Sequence, residues 1–271
     1  MRDARERLLR AATYGSLRDA RETLCWYMST QTPDPVTGEF ELYHLQESIR
    51  AAIANNQPPL LSYLFFMRIG EPSFFVEDAL RVRSTAVFRV LLYYGWDINK
   101  PRGRHLAPAL GYVIDDGALT EWFLDKGADP NSTCEWGRTP MSNAMCGVSF
   151  VSIDMLFTRG ADIIQGQLLH NAVLRDRPEH EVIELVELLL GKGATINEIQ
   201  YENHPQTFAE LQDFSLGTPL HYAAQAGKEM VVSYLLNKGA DPLIRNTKGR
   251  TVIEAAGHAS QSAVVEMLSH V

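Results

Sequence analysis

Pairs of apolar residues recur along this chain, each followed three to four residues later by a glycine. The stretches "YYGWDIN" (93–99), "DKGADPN" (125–131), "TRGADII" (158–164), "GKGATIN" (191–197) and "NKGADPL" (237–243) place those glycines at Gly95, Gly127, Gly160, Gly193 and Gly239. Successive glycines are separated by 32, 33, 33 and 46 residues. A fainter copy, "FMRIGEP", puts Gly70 only 25 residues before Gly95. At minus three from the six glycines stand Met67, Leu92, Leu124, Phe157, Leu190 and Leu236, and at minus four Phe66, Leu91, Phe123, Leu156, Leu189 and Leu235. All of them are apolar in a chain that is 45% hydrophobic; chance would give that on the order of once in ten thousand trials. Such positions form the buried face of a helix. The glycine is then its stop, because the residue just past a helix often takes a left-handed conformation that only glycine adopts cheaply.

A second, shorter helix is introduced by "GRTPMSNA" (137–144), "GQLLHNAV" (166–173), "GTPLHYAA" (217–224) and "GRTVIEAA" (249–256). Threonine supplies an N-cap oxygen, and proline fits the first helical turn, where its missing N–H costs nothing. Each unit therefore reads as turn, short helix, tight link, longer helix. The 46-residue spacing is one regular repeat carrying an insertion, "NEIQYENHPQTFAELQDFSL" at 197–216. Its "PQTFAELQDF" predicts a short extra helix, and Tyr201, Phe208 and Phe214 give it aromatic content.

The repeat length and the run "TPLHYAA" followed by "GADP" resemble the ankyrin-repeat family, whose unit of about 33 residues carries a T-P-L-H-x-A signature. The resemblance implies an all-α solenoid of about eight helix pairs in a single domain over 1–271. Residues 1–42 would be an N-terminal capping pair and loop, 43–103 divergent repeats, 104–250 clear repeats and 251–271 a C-terminal cap. Terminal units must be atypical because their outer faces meet water. Between the first two pairs, "STQTPDPVTGEFEL" (29–42) carries Pro33, Pro35 and Gly38, which exclude helix.

The net charge of −8 repels a phosphate backbone, so no nucleic-acid partner is expected. The most apolar short run, "LLSYLFFM" at 60–67, falls far short of the roughly 20 residues that cross a bilayer, so no membrane partner is expected either. Cys25, Cys134 and Cys146 form neither an even framework nor a Cys-x-x-Cys pair. Free thiols in a reducing compartment follow, hence an intracellular protein, cytoplasmic or nuclear. The N-terminal "MRDARERLLRAATYG" has no apolar leader. Nucleotide-binding and esterase glycine motifs do not occur, and neither does metal-ligand spacing, so no cofactor and no metal are expected.

The resemblance implies structural roles for His170 and His221, at the signature histidine, and for the caps Thr139 and Thr218. It also implies a concave groove lined by turn tips and first-helix faces. Read off by register, the binding candidates are Arg102, Glu135, Trp136 and Phe214 at the tips, and Arg175, Gln225 and His258 on first helices. Trp136 leads, because tryptophan is costly to leave wet and is enriched at binding hot spots. The expected function is a protein-binding scaffold or adaptor, monomeric, with a protein partner. The alternative is a cofactor-free isomerase, cyclase or hydrolase that holds a small molecule in the groove. For that chemistry the paired carboxylates Asp115 and Asp116, with His105 upstream, are the acid/base candidates; otherwise they form a solvated turn in which Asp116 or Gly117 ends the short helix.

Overall fold

The computed structural model describes residues 2–33 and 42–270; Pro35 and Gly38 of the expected loop lie outside the described residues. The chain divides into two compact units, Met1–Ile98 and Asn99–Val271, a few residues before the expected start of the clear repeats. The first unit holds three helix pairs among its described residues. They are α1 (Arg2–Tyr14) with α2 (Leu17–Thr30), α3 (Glu47–Ala54) with α4 (Pro58–Phe66), and α5 (Val76–Val82) with α6 (Thr85–Tyr93).

The second unit opens with a two-stranded hairpin, β1 (Pro101–Gly103) antiparallel to β2 (Leu106–Pro108), with Gly103 opposite Leu106. A single 3-10 turn, Ala109–Tyr112, then stands where a first helix is expected and is followed by α7 (Gly117–Asp125). Four further pairs complete the unit: α8 (Pro140–Ala144) with α9 (Phe150–Thr158), α10 (Leu168–Val173) with α11 (Glu179–Gly191), α13 (Pro219–Gln225) with α14 (Glu229–Asn237), and α15 (Val252–His258) with α16 (Ser262–Leu268). The extra helix of the insertion is α12 (Pro205–Leu211). The fold is an all-α repeat fold of eight pairs among the described residues, one of them opened by the 3-10 turn.

The glycine rule holds at the five regular sites. Gly95, Gly127, Gly160, Gly193 and Gly239 have φ between 90° and 99°, and a β-carbon at any of them would meet nothing within 4 Å. Backbone conformation alone therefore demands glycine there. The minus-four residues Leu91, Phe123, Leu156, Leu189 and Leu235 are each fully buried. The copy at Gly70 departs from the pattern. There α4 ends at Phe66, which is 70% exposed, and the left-handed residue is Arg68 at φ 55°. Gly70 is required for close packing instead, since a β-carbon would lie 2.9 Å from the Phe75 ring.

Caps fix the short helices as the T-P signature requires. Thr139 accepts from the Ser142 amide at 3.2 Å while Ser142 Oγ accepts from the Thr139 amide at 3.0 Å. Thr218 and His221 form the same reciprocal box, with the His221 Nδ1 accepting from the Thr218 amide at 3.2 Å. That leaves the proton on Nε2, which donates to the Arg250 carbonyl of the following unit at 3.1 Å. Ser142, at the same register, reaches the Gly166 carbonyl of its following unit at 2.7 Å.

A second row of clasps runs through the asparagines four residues past Gly95, Gly127 and Gly193. Asn99 Nδ2 donates to the Gly127 carbonyl at 2.9 Å, and its Oδ1 accepts from the Asp129 amide at 2.7 Å. Asn131 repeats both bonds one unit on, with Gly160 and Asp162 at 2.8 and 2.7 Å. Asn197 repeats them with Gly239 and Asp241 at 3.3 and 2.9 Å, across the insertion. The register at 164 holds isoleucine, 67% exposed, which has no amide to offer Gly193 or Thr195.

A backbone amide or carbonyl satisfied by such a clasp is worth about 1 kcal/mol. Asn131→Ala is therefore expected to lower stability by about 1–2 kcal/mol, and Ile164→Asn, which completes the row, to raise it by up to about 1 kcal/mol. Urea midpoints at constant m-value measure both. Destabilisation by Ile164→Asn would contradict the register.

Candidate functional site

The turn tips of the second unit are not bare. The insertion is closed at its base by the Gln200 amide donating to the Gly217 carbonyl at 3.0 Å. Beneath that closure lies His170, 3% exposed, whose Nε2 faces the Glu198 carbonyl at 3.0 Å, with the Gly217 carbonyl also on the ring. From there α12 leans back toward tips that precede it by some 70 to 106 residues. Pro205 opens α12 at its first turn, and the buried Thr207 hydroxyl donates to the Glu135 carbonyl at 3.3 Å.

Glu210 is the pivot of this contact. One carboxylate oxygen takes the Arg104 guanidinium, and the other accepts from the Trp136 indole N–H at 3.2 Å. Arg104 also donates from Nε to Glu135 at 2.7 Å, so one arginine is shared between two carboxylates and two turns. The His105 ring lies against Trp136 with centroids 3.7 Å apart. On the other side Lys248 donates to Asp213 at 2.9 Å. The insertion thus spans a row of tips from Arg104 to Lys248. The ion pairs are solvent-facing, each worth no more than about 1 kcal/mol; the half-buried Trp136 adds apolar contact.

A concave pocket of about 260 Å³ lies between the turns at 133–137 and 164–167 and the insertion at 201–204. Its rim carries Gln165, Gln167, Asn203, His204, Tyr201 and the exposed Ile164. Much of that polarity already serves the fold, since Gln167 accepts from the Tyr201 amide at 3.0 Å and His204 Nδ1 sits 3.1 Å from the Thr207 hydroxyl. Burial holds the Tyr201 phenol above its ordinary range and the Tyr222 phenol at about 12, so both are neutral donors at physiological pH.

The candidates read from sequence are distributed unevenly around this arrangement. Trp136 and Glu135 lie in the cluster, but Trp136 is half-buried and its indole N–H is bonded to Glu210 rather than facing water. Phe214 follows α12 and is 75% exposed. Gln225 is half-buried, its carbonyl accepting from Gln261 at 3.2 Å, and His258 is exposed. Arg102 lies over the Tyr112 ring at 3.8 Å.

Arg175 corrects the register reading. It is only 4% exposed, and its Nη2 donates to the Val148 carbonyl at 2.6 Å while its own carbonyl accepts from Lys228 Nζ at 2.6 Å. The chain turns immediately after α10, which swings this side chain back against the preceding link and away from a groove. Burial pushes its guanidinium below the ordinary range.

Of the acid/base candidates, Asp116 caps the second helix, accepting from the Leu119 amide at 3.0 Å; it does not end the first. His105 is engaged with Trp136, and Asp115 is exposed. Among the described residues, no group of three or more His, Cys, Asp or Glu is placed to hold a metal, and no helix is long and apolar enough to cross a membrane. Sequence reasoning read Arg104 as a turn tip but missed its pairing with Glu210, and it missed the asparagine clasps. The clasps had a signal, the recurring asparagine four residues after the glycine; the reach of Glu210 across 106 residues had none.

A family profile described as ankyrin repeats, in three copies, matches residues 169–270. Residues 169–270 carry ankyrin repeats. Its relatives include the ankyrin repeat, SAM and basic leucine zipper domain-containing protein 1 of Dasypus novemcinctus, 30% identical over 130 residues, 46% of this chain and 25% of that protein. The human 2-5A-dependent ribonuclease is 35% identical over 94 residues, 34% of this chain and 10% of that protein. The chain thus matches a quarter or less of these relatives' own length.

Burial holds the His170 imidazole at about 4, against an ordinary value of 6.5. The unfolded chain therefore binds a proton that the folded one refuses between those values. The contribution is intact above pH 6.5, falls as pH drops toward 4 and levels off below. Over that window it amounts to on the order of 3 kcal/mol. His170→Gln, which keeps a donor and does not titrate, is expected to shrink the acid loss of stability by about that amount. Urea unfolding at pH 7, 5.5 and 4.5 measures it, and an unchanged acid slope would contradict the buried neutral ring.

Proposed function

We propose that the turn-tip face of residues 99–271 is a protein-binding surface, with the patch built by Trp136 and the insertion at its centre. One observation supports this above the others: the segment 197–216, about 13 residues longer than the regular repeat needs, is held across the tips by Arg104, Trp136 and Lys248. It leaves Phe214, the residue after the Lys248-paired Asp213, three-quarters exposed. Ankyrin repeats generally serve protein–protein interaction, and insertions in repeat arrays often sit on the binding face. Exposed aromatic side chains beside arginine make strong anchors because they bring large apolar area at low entropic cost. In this reading the partner meets a surface made jointly by the insertion and the tips. Arg104 and Glu210 set its shape, and Phe214 and Trp136 supply its apolar contact.

Affinity capture with the wild type, Phe214→Ala and Trp136→Ala tests the reading. Phe214 is exposed, so its truncation leaves the fold intact, and the same partners are expected to be lost from both variants. Retention of the full partner set by Phe214→Ala and Trp136→Ala would overturn it.

A further inference from the structure

Within residues 1–98, helices α2 and α4 leave a groove of about 660 Å³ between them. On α2 it is lined by Leu17, Arg21, Cys25 and Met28, which follow one another at four, four and three residues and so form a straight stripe along one helical face. On α4 it is lined by Pro59, Ser62, Tyr63 and Phe66, at three- and four-residue spacing, with Met67 at the helix's C-cap. Both stripes have the periodicity of faces that pack against a helix, and Phe66 is 70% and Cys25 largely exposed. The stripe from Leu17 to Met28 is about 17 Å long, three helical turns at the usual rise of about 1.5 Å per residue.

Composition sets this unit apart. Residues 1–98 hold eleven arginines and no lysine, whereas 99–271 hold eight arginines and six lysines. Tyr14, Trp26, Tyr43, Phe66, Phe74 and Tyr93 are exposed aromatics of the first unit, while the second exposes only Phe214 among its large aromatics. Arginine and aromatic enrichment with lysine depletion is the composition of an interface. Arg21 lies over the Tyr63 ring at 5.5 Å and is the one charged side chain among the groove's lining residues.

We propose that the α2–α4 groove is a docking site for an amphipathic helix of a partner protein, about three turns long, whose apolar ridge lies on Phe66 and Met28 and whose mid-ridge carboxylate pairs with Arg21. The two stripes supply two sides of a three-helix packing and the incoming helix supplies the third. A carboxylate is favoured over a neutral side chain because Arg21 is the one charged group lining the groove, and a hydrogen bond between two ionised groups is stronger than a neutral one.

The test uses the full chain and two synthetic three-turn helical peptides with leucines at i, i+3, i+4 and i+7, one carrying a central glutamate and the other a lysine at the same place. Binding is read by fluorescence anisotropy and by protection of the Cys25 thiol from alkylation in a Cys146→Ser background. The glutamate peptide is expected to bind at least tenfold more tightly than the lysine peptide and to protect Cys25. Arg21→Glu is expected to reverse that preference, and Phe66→Asp to abolish binding of both; these side chains are exposed, and circular dichroism verifies the fold. Equal affinity for the two peptides, or binding that survives Phe66→Asp, overturns the proposal. A Phe66-dependent dimer in sedimentation also overturns it, in favour of a second copy of the chain. Binding that appears only after residues 34–41 are replaced by glycine and serine overturns it in favour of the chain's own segment.

Discussion

Two short helices cannot bury their own apolar faces, so each unit of residues 99–271 is held by what its neighbour lends it. Apolar burial by Phe123, Leu156, Leu189 and Leu235 supplies the bulk of the attraction but is indifferent to register. Direction comes from side chains that reach one unit forward to backbone groups. His221 reaches Arg250, Ser142 reaches Gly166, and the asparagines at 99, 131 and 197 each hold a carbonyl and an amide. These bonds are geometric, so a unit displaced by one residue loses them all. At Gly127, Gly160 and Gly239 the left-handed backbone presents the carbonyl that the asparagine of the unit before holds.

The insertion depends on the same rule and bends it. His170 holds the carbonyls at the insertion's two ends, and Asn197 still clasps Gly239 and Asp241 beyond it, so the stack continues as though the extra residues were absent. Because loop closure costs little more for a longer loop, the excursion is tolerated and is free to fold back onto Trp136 and Arg104. Ile164, where the asparagine row is interrupted, lies beside this excursion on the rim of the pocket it forms.

Local physics made much of the fold legible. The glycine stops, the apolar pairs before them and the T-P caps act within a few residues, and the structure shows them where the spacing put them. Gly70 misled because left-handed turns and close packing select glycine alike; here Phe75 occupies the space a side chain would need. Less of the candidate site could be read. Register placed Arg175 on an exposed helix face, but the turn after α10 directs it inward to Val148. Asp116 read as the end of one helix when its carboxylate begins the next. The contact between Glu210 and Arg104 arises from the path of a long loop, and no local pattern encodes it.

Native-state hydrogen exchange resolved at single amides tests the clasp account most directly. The amides of Asp129, Asp162 and Asp241, which sit in surface turns, donate to asparagines of the preceding unit. The account predicts that all three exchange far more slowly than the unclasped amide of Thr195, and that Asn131→Ala releases Asp162 alone. Exchange of the three aspartate amides as fast as Thr195 would contradict it.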